Sequence, residues 1–302
     1  MMQAIHNFKA ELLLLAVAII WGTSYGLTKE ALLYISVPAF LALRFLLTFL
    51  LLSPALLADY QRGLAQDLPA ACFTGLILFS IFLAEVYGVA HTSAANAAFL
   101  ISLCVIITPL LEWAIYRQYP GQRLFILAAA CLLGVYLLTQ NVEQSFSLQL
   151  NLGDSLMLLA ALLRASMGIA TKKFMQGRKL SSLSLTATQA GVVGFGALFV
   201  LCWQQPSLAI SLPNDGHFWL VMLYLVLFCS IFAFFAMNYG LRHTTPTRVA
   251  LLTGSEPAWG ALFAVLYLGE HLVGYQWLGG LLIVVASLYA ALPEKLATKQ
   301  LA

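Results

Sequence analysis

Among the charged side chains within long apolar stretches, Glu256, Glu85 and Arg164 come first. A charge at the centre of a spanning helix costs about 2.5–3.5 kcal/mol on insertion scales, so each is a candidate for function. Glu256 directly precedes Pro257. Proline removes a backbone donor and frees a carbonyl one turn earlier. A carboxyl beside such a break can hold a proton or a cationic group. It can equally cap the broken turn or pair with a basic residue. Pro109 is the corresponding helix-breaking candidate in the first half. Glu85 lies toward one end of its stretch, with Tyr87 close by. A buried carboxyl without a partner exchanges protons near neutrality, which suits proton coupling or an amine substrate. The competing reading is a salt bridge to Arg44, at similar depth in the preceding stretch. Arg164 can hold a carboxylate or phosphate bidentately, or pair with a glutamate. Arg44 either snorkels or pairs. Glu112 reads as an interfacial ion pair with Arg117 and Arg123, and Asp154, Lys29 and Glu30 as solvated.

A second layer of candidates is polar but uncharged: Thr23, Ser24, Asn96, Ser102, Ser166, Gln189 and Asn238. Such groups line a polar path or bond across helices, where each contributes about 0.6 kcal/mol. Trp21, Tyr25, Tyr87, Tyr239 and Trp259 can wall a pocket for a flat ring. Tyr87 and Tyr239 sit near the ends of their stretches, where anchoring at the membrane interface competes.

Other patterns carry no catalysis. Gly22-Thr23-Ser24-Tyr25-Gly26 fits G-x-S-x-G, but that elbow works only between a strand and a helix. The same residues satisfy GxxxG, which lets two helices approach closely. The five histidines have no metal-ligand spacing, and there is no HExxH and no Walker motif, so neither a metal cofactor nor ATP is expected. The five cysteines stand singly in apolar stretches and form no CxxC, which reads as packing rather than a disulfide or metal site. No basic run with interleaved aromatics suggests nucleic acid.

The elements that must position these groups follow from composition. Of 302 residues, 62% are hydrophobic and 9% charged. Soluble domains carry about 25% charge, so lipid must be the solvent for most of this chain. Ten apolar stretches can be read, at 11–29, 37–58, 68–90, 93–115, 123–140, 152–172, 183–203, 217–241, 247–268 and 275–292. They are continuous rather than alternating, so they span as helices, which satisfy their own backbone. No small-residue cleavage pattern follows the first stretch, which is therefore expected to stay in the mature protein.

Lys and Arg set the orientation. With the N-terminus in the cytoplasm, twelve of them fall on that side, Lys29 falls outside, and Arg44 and Arg164 lie within spans. Both termini are thus expected inside. An internal repeat is also visible. Tyr87-Gly88-Val89-Ala90-His91-Thr92 matches Tyr239-Gly240-Leu241-Arg242-His243-Thr244 at four of six positions, with an offset of 152. A weaker match sets the stretch from Trp21 against the one from Arg164. The halves are 1–146 and 147–302, with five spans each. Because five is odd, the second half enters from the opposite side, the inverted repeat common among secondary transporters.

The stretch Gly88 to Leu100 with Pro109-Leu110-Leu111 resembles the end of the first half of EamA-type transporters, in the drug/metabolite transporter superfamily. Ser255-Glu256-Pro257, Leu268-Gly269-Glu270 and Trp277-Leu278-Gly279-Gly280 resemble that family's last two spans. Trp21-Gly22-Thr23-Ser24 and Leu43-Arg44-Phe45 resemble its first two. The resemblance covers nearly the whole chain. It implies a 5+5 inverted repeat around a central cavity, and export of amino acids, other metabolites or drugs, with nucleotide-like substrates taken up or exchanged by some members. Two positions depart from the pattern. Arg117-Gln118-Tyr119-Pro120 replaces the usual Gly-Glu, and Glu85 stands where Gln is frequent.

The expectation is an all-α, ten-helix transporter of a bacterial-type inner membrane. It exports a small amphipathic metabolite by alternating access, with protons as a candidate coupling ion. Glu256 and Glu85 would titrate or hold a cation, Arg164 would hold an anion, and Trp21, Tyr25 and Trp259 would form walls. An exchange or uptake carrier for an anionic metabolite, a channel-like facilitator and a membrane enzyme are the competing classes.

Overall fold

The computed structural model describes residues 2–92, 94–117, 119, 121–139, 151–204, 212–268 and 271–291. The described residues form helices joined by short turns. The long elements are α1 (Met2–Ala31), α2 (Val37–Gln61), α3 (Leu68–His91), α6 (Gln122–Thr139), α7 (Leu152–Met175), α8 (Ser182–Gln204) and α13 (Gly274–Ala291). Three further apolar stretches are interrupted. One is α4 (Ala94–Ser102) and α5 (Cys104–Tyr116); another is α11 (Pro246–Thr253) and α12 (Glu256–Leu268). The third runs from α9 (Gly216–Tyr224) through a π-helical segment, Leu225–Phe232, into α10 (Ala233–His243). Among the described residues, nine segments are long and apolar enough to cross a membrane. Expected span boundaries agree to within a few residues, except that α1 begins at Met2, well before position 11.

Of the two proline-bearing interruptions, one sits where its proline would put it and one does not. Pro109 lies inside α5, and the break falls earlier, at Leu103. Pro257 is the second residue of α12, after a turn at Gly254–Ser255. Leu103 and Ser255 are 152 positions apart, the offset of the sequence repeat, whereas the two prolines are not. The breaks also touch, because Val105 fills the space beside the Gly254 backbone.

With lipid outside, apolar burial gains little, so close backbone approach holds helices together. At the α6–α13 crossing, a Cβ on Gly279 would meet the Gly134 carbonyl oxygen at 2.5 Å, and one on Gly134 would meet the Gly279 oxygen at 2.7 Å. Gly22 lies in the same way against the backbone of Gly260 and Glu256, while Gly26 has nothing within 4 Å. Only the first glycine of that GxxxG packs a helix. Large side chains such as Leu50, Leu51 and Phe199 point outward, as lipid-facing groups should.

The main packing partners are α2 with α8, α3 with α7 and α8, α6 with α13, and α1 with α10 and α12. Polar contacts collect at the two ends. At one end Asp67 accepts from Arg178 and from the amides of Lys179 and Leu180, Asp59 accepts from the amide of Ser181, and Arg248 bonds Glu11. At the other, the Tyr34 hydroxyl donates to Asp215 at 2.6 Å and His217 meets Glu30 at 2.7 Å.

Candidate functional site

A cavity of about 370 Å³ is walled by α1, α2, α3 and α5 and by α7, α10, α11 and α12. That is room for one small metabolite. The wall can be read along each helix at the i, i+3, i+4, i+7 spacing of a single face. On α3 it is Leu78, Ile81, Phe82 and Glu85; on α10 it is Phe234, Met237, Asn238 and Leu241. The lining is mostly apolar, with a few charged groups converging. Leu33 lines the cavity and is 84% exposed, so the cavity opens at the α1–α2 turn.

The charged groups converge on Arg164. Its Nη2 donates to both oxygens of Glu85, at 3.0 and 3.2 Å. Its Nη1 lies 3.9 Å from the Glu256 carboxylate. The guanidinium also sits over the Trp21 ring, 5.8 Å from its centre, where the ring's negative face favours a cation. Glu85 and Glu256 are both buried. The pairing with a glutamate holds for Arg164, while the alternative Glu85–Arg44 bridge does not form. Arg44 is buried; it donates through Nε to Ser230 Oγ at 2.8 Å and through Nη2 to the Cys229 carbonyl at 3.2 Å.

Both Cys229 and Ser230 belong to the π-helical segment. Such a turn shifts the backbone hydrogen-bond ladder and occurs frequently at functional sites. The Cys229 carbonyl accepts from Trp21 Nε1 as well, at 3.0 Å. One irregular turn thus holds Arg44 of α2 and Trp21 of α1 against the cavity.

Of the candidates named from sequence, Trp21, Ser24, Glu85, Arg164, Asn238 and Glu256 line the cavity. Ser24 turns its hydroxyl back to the Trp21 carbonyl. Gln189 stands behind the wall, giving a hydrogen bond to Thr74 and accepting one from Asn238. Tyr87 accepts from Gln204, Tyr239 stacks on His243, and Trp259 donates to Ser255. None of these four faces the cavity. The side chains of Tyr25, Asn96 and Lys29 lie outside the described residues. Glu112 is no interfacial ion pair with arginine: its carboxylate accepts from the Thr247 amide and hydroxyl at the start of α11. Nor are Asp154 and Glu30 merely solvated, since Asp154 caps α7 and accepts from Thr92.

The aromatic walls beside Trp21 are Phe40, Phe82 and Phe234. Phe82 and Phe234 pack together with Phe45 at centroid distances of 4.8–6.1 Å. Sequence reasoning passed over them because a phenylalanine in an apolar stretch is indistinguishable from a lipid-facing one. The signal was the three- and four-residue spacing to Glu85 and Asn238.

Outside the spans, one linked pair is shifted. The Tyr34 hydroxyl hydrogen bond lowers Asp215 below the usual carboxylate value, and the same bond raises Tyr34.

Similar proteins place this geometry. Two uncharacterized transporters of Archaeoglobus fulgidus are 25% and 27% identical, over 96% and 94% of this chain and 88% and 97% of their own. The uncharacterized transporter YwfM of Bacillus subtilis is 26% identical over 69% of this chain and 68% of its own. A solved crystal structure superposes with a TM-score of 0.74 at 19% identity, over 97% of this chain and 99% of the other, and so shares the fold. The model of the EamA-like transporter family matches twice, over residues 8–140 and 151–292. With nearly its whole length matched and, among its described residues, nine segments long and apolar enough to cross a membrane, the chain belongs to the EamA-like transporter family.

Proposed function

We propose that the chain is a secondary transporter that exports a small zwitterionic or otherwise amphipathic metabolite by alternating access. The observation that carries this reading is Arg164 held between Glu85 and Glu256 in a cavity walled by both halves. A zwitterion such as an amino acid offers a carboxylate to Arg164 and an ammonium to a glutamate. It exchanges with the internal bridges without adding net charge to a low-dielectric site. Trp21, Phe82 and Phe234 receive its apolar body. The glutamate that holds the substrate's ammonium must be ionised, so a proton entering from outside displaces the substrate, and proton entry alternates with export.

The membrane arrangement proposed is ten spans, counting α1 and each interrupted pair as one, in halves 1–146 and 147–302 of inverted topology. Three features support it: paired contacts of α2 with α8 and of α6 with α13, breaks 152 positions apart, and the Lys and Arg bias. With both termini in the cytoplasm of a bacterial cell, the cavity opens outward at Leu33. The contacts of Asp59 and Asp67 with the 178–181 turn close the inner end. Rocking of one half against the other would exchange the two.

Proteoliposomes with an imposed pH gradient test the coupling. Wild type should show gradient-dependent, saturable flux of an amino-acid-like substrate, and Glu85→Gln and Glu256→Gln should lose the gradient response. If both variants respond like wild type, proton coupling is wrong; non-saturable flux would point to a channel-like facilitator. A second reading, uptake or exchange of an anionic metabolite, is favoured by Arg44 sharing the cavity with Arg164. Electroneutral counterflow of that anion would distinguish it.

A further inference from the structure

A second cavity, of about 330 Å³, lies at the inner end of the bundle between α7, the start of α8 and α10. Asn238 and Leu241 line both it and the central cavity, so a two-residue partition separates them. Its charged lining is entirely basic: Lys172, Arg178 and Arg242. The nearby acids are already committed, Asp67 to Arg178 and two amides, Asp59 to the Ser181 amide, and Glu112 to Thr247.

The cations are held by backbone but not saturated. Arg242 Nη2 donates to the Leu180 carbonyl, while its Nε is buried with no hydrogen-bond partner. Lys172 donates to the carbonyls of Leu241 and Thr244, leaving one of its three N–H groups uncommitted. Thr171 is 1% exposed, and its hydroxyl also lacks a partner. Buried donors normally find acceptors. What the cavity offers an oxyanion is therefore unfilled donors, the Arg242 Nε–H, the Thr171 hydroxyl and one Lys172 N–H, set among the charges of Asp59, Asp67 and Glu112.

We propose that this second cavity is an oxyanion site, in which Arg242, Lys172 and Thr171 bind the carboxylate or phosphate oxygens of a small solute or of a lipid headgroup. Its existence does not depend on the transport reading, because binding to purified protein tests it directly. If both hold, the site is a station from which an anionic group passes the Asn238–Leu241 partition toward Arg164.

The test uses the full chain in neutral detergent, titrated with inorganic phosphate at constant ionic strength and followed by thermal unfolding. A parallel arm compares nanodiscs of phosphatidylcholine alone with nanodiscs containing phosphatidylglycerol. Wild type should show saturable stabilisation by phosphate or by phosphatidylglycerol, the arm that responds identifying the source. Thr171→Val keeps shape and removes only the uncommitted hydroxyl, so it should fold normally and weaken affinity about tenfold. Arg242→Lys keeps charge but loses the fork and should weaken it at least as much. No saturable stabilisation in either arm overturns the proposal. So does stabilisation that both variants leave unchanged.

Discussion

Removing Arg164 should be far worse than removing either of its partners. At an effective dielectric of about 20, an ion pair at 3.0 Å contributes about 5 kcal/mol of attraction and one at 3.9 Å about 4 kcal/mol, before desolvation is subtracted. Desolvation of buried charges cancels much of each gain. Arg164→Gln forfeits both attractions and leaves two buried carboxylates facing each other, so it should destabilise by about 3–5 kcal/mol. Glu85→Gln still accepts a hydrogen bond and leaves Arg164 beside Glu256, so it should cost about half as much. The double variant should cost less than the sum, with a coupling energy of about 1–3 kcal/mol. Equilibrium unfolding in mixed micelles, on the two single variants and the double, measures all three. The bridge would be refuted by additive effects, with coupling below about 0.5 kcal/mol, or by Glu85→Gln costing more than Arg164→Gln.

The remaining predictions concern how the site is held. Gly279→Ala drives a methyl into the Gly134 carbonyl and should cost about 1–3 kcal/mol in the same unfolding assay, whereas Gly26→Ala, with open space around it, should be neutral or slightly stabilising. Trp21→Phe keeps a ring beneath Arg164 but loses the bond to the Cys229 carbonyl. It should cost about 0.5–1.5 kcal/mol and weaken substrate binding several-fold, read by equilibrium binding. The Tyr34–Asp215 link should hold over a wide pH window. Asp215 is lowered below 3.8, so its contribution is present above that value and lost as pH falls further. Tyr34 is raised above 10.0, so its contribution is present below that value and lost as pH rises through the raised one. Amide exchange around residues 33–36 should therefore distinguish Tyr34→Phe from wild type at neutral pH, and the difference should vanish at both extremes.

Much of the plan was legible because lipid imposes strong rules on sequence. An apolar stretch of about 20 residues has little choice but to be a helix, so the described elements match the stretches read along the chain. The cost of charge in lipid marked Glu85, Arg164 and Glu256 before any contact was known. Which charge meets which was not legible. Arg44 and Arg164 are equally plausible partners for Glu85 by depth, and the choice turns on which helix packs beside α3. That helix is α7, so Arg164 takes the bridge and Arg44 turns to Ser230. The break before α5 was misplaced for a related reason. Proline marks where a donor is missing, as Pro257 does after Gly254–Ser255, but the turn at Leu103 lies well before Pro109, where Val105 packs against Gly254.

Composition and continuous apolar stretches alone determined a membrane-embedded, all-helical chain and marked Glu85, Arg164 and Glu256 as costly charges. The tertiary structure decided which polar groups face the cavity and which stand behind it. Gln189 and Trp259 look as eligible in sequence as Asn238 and Trp21. Their helices are rotated so that their side chains stand outside the cavity wall, bonded to Thr74 and Ser255. It also decided that a π turn, silent in the sequence, supplies the carbonyl that holds Trp21 and Arg44. The physical reason is the same in each case. Burial cost is set by one residue and its solvent, and so is written locally, whereas a partner is set by the rotation and approach of two helices, which distant residues decide together.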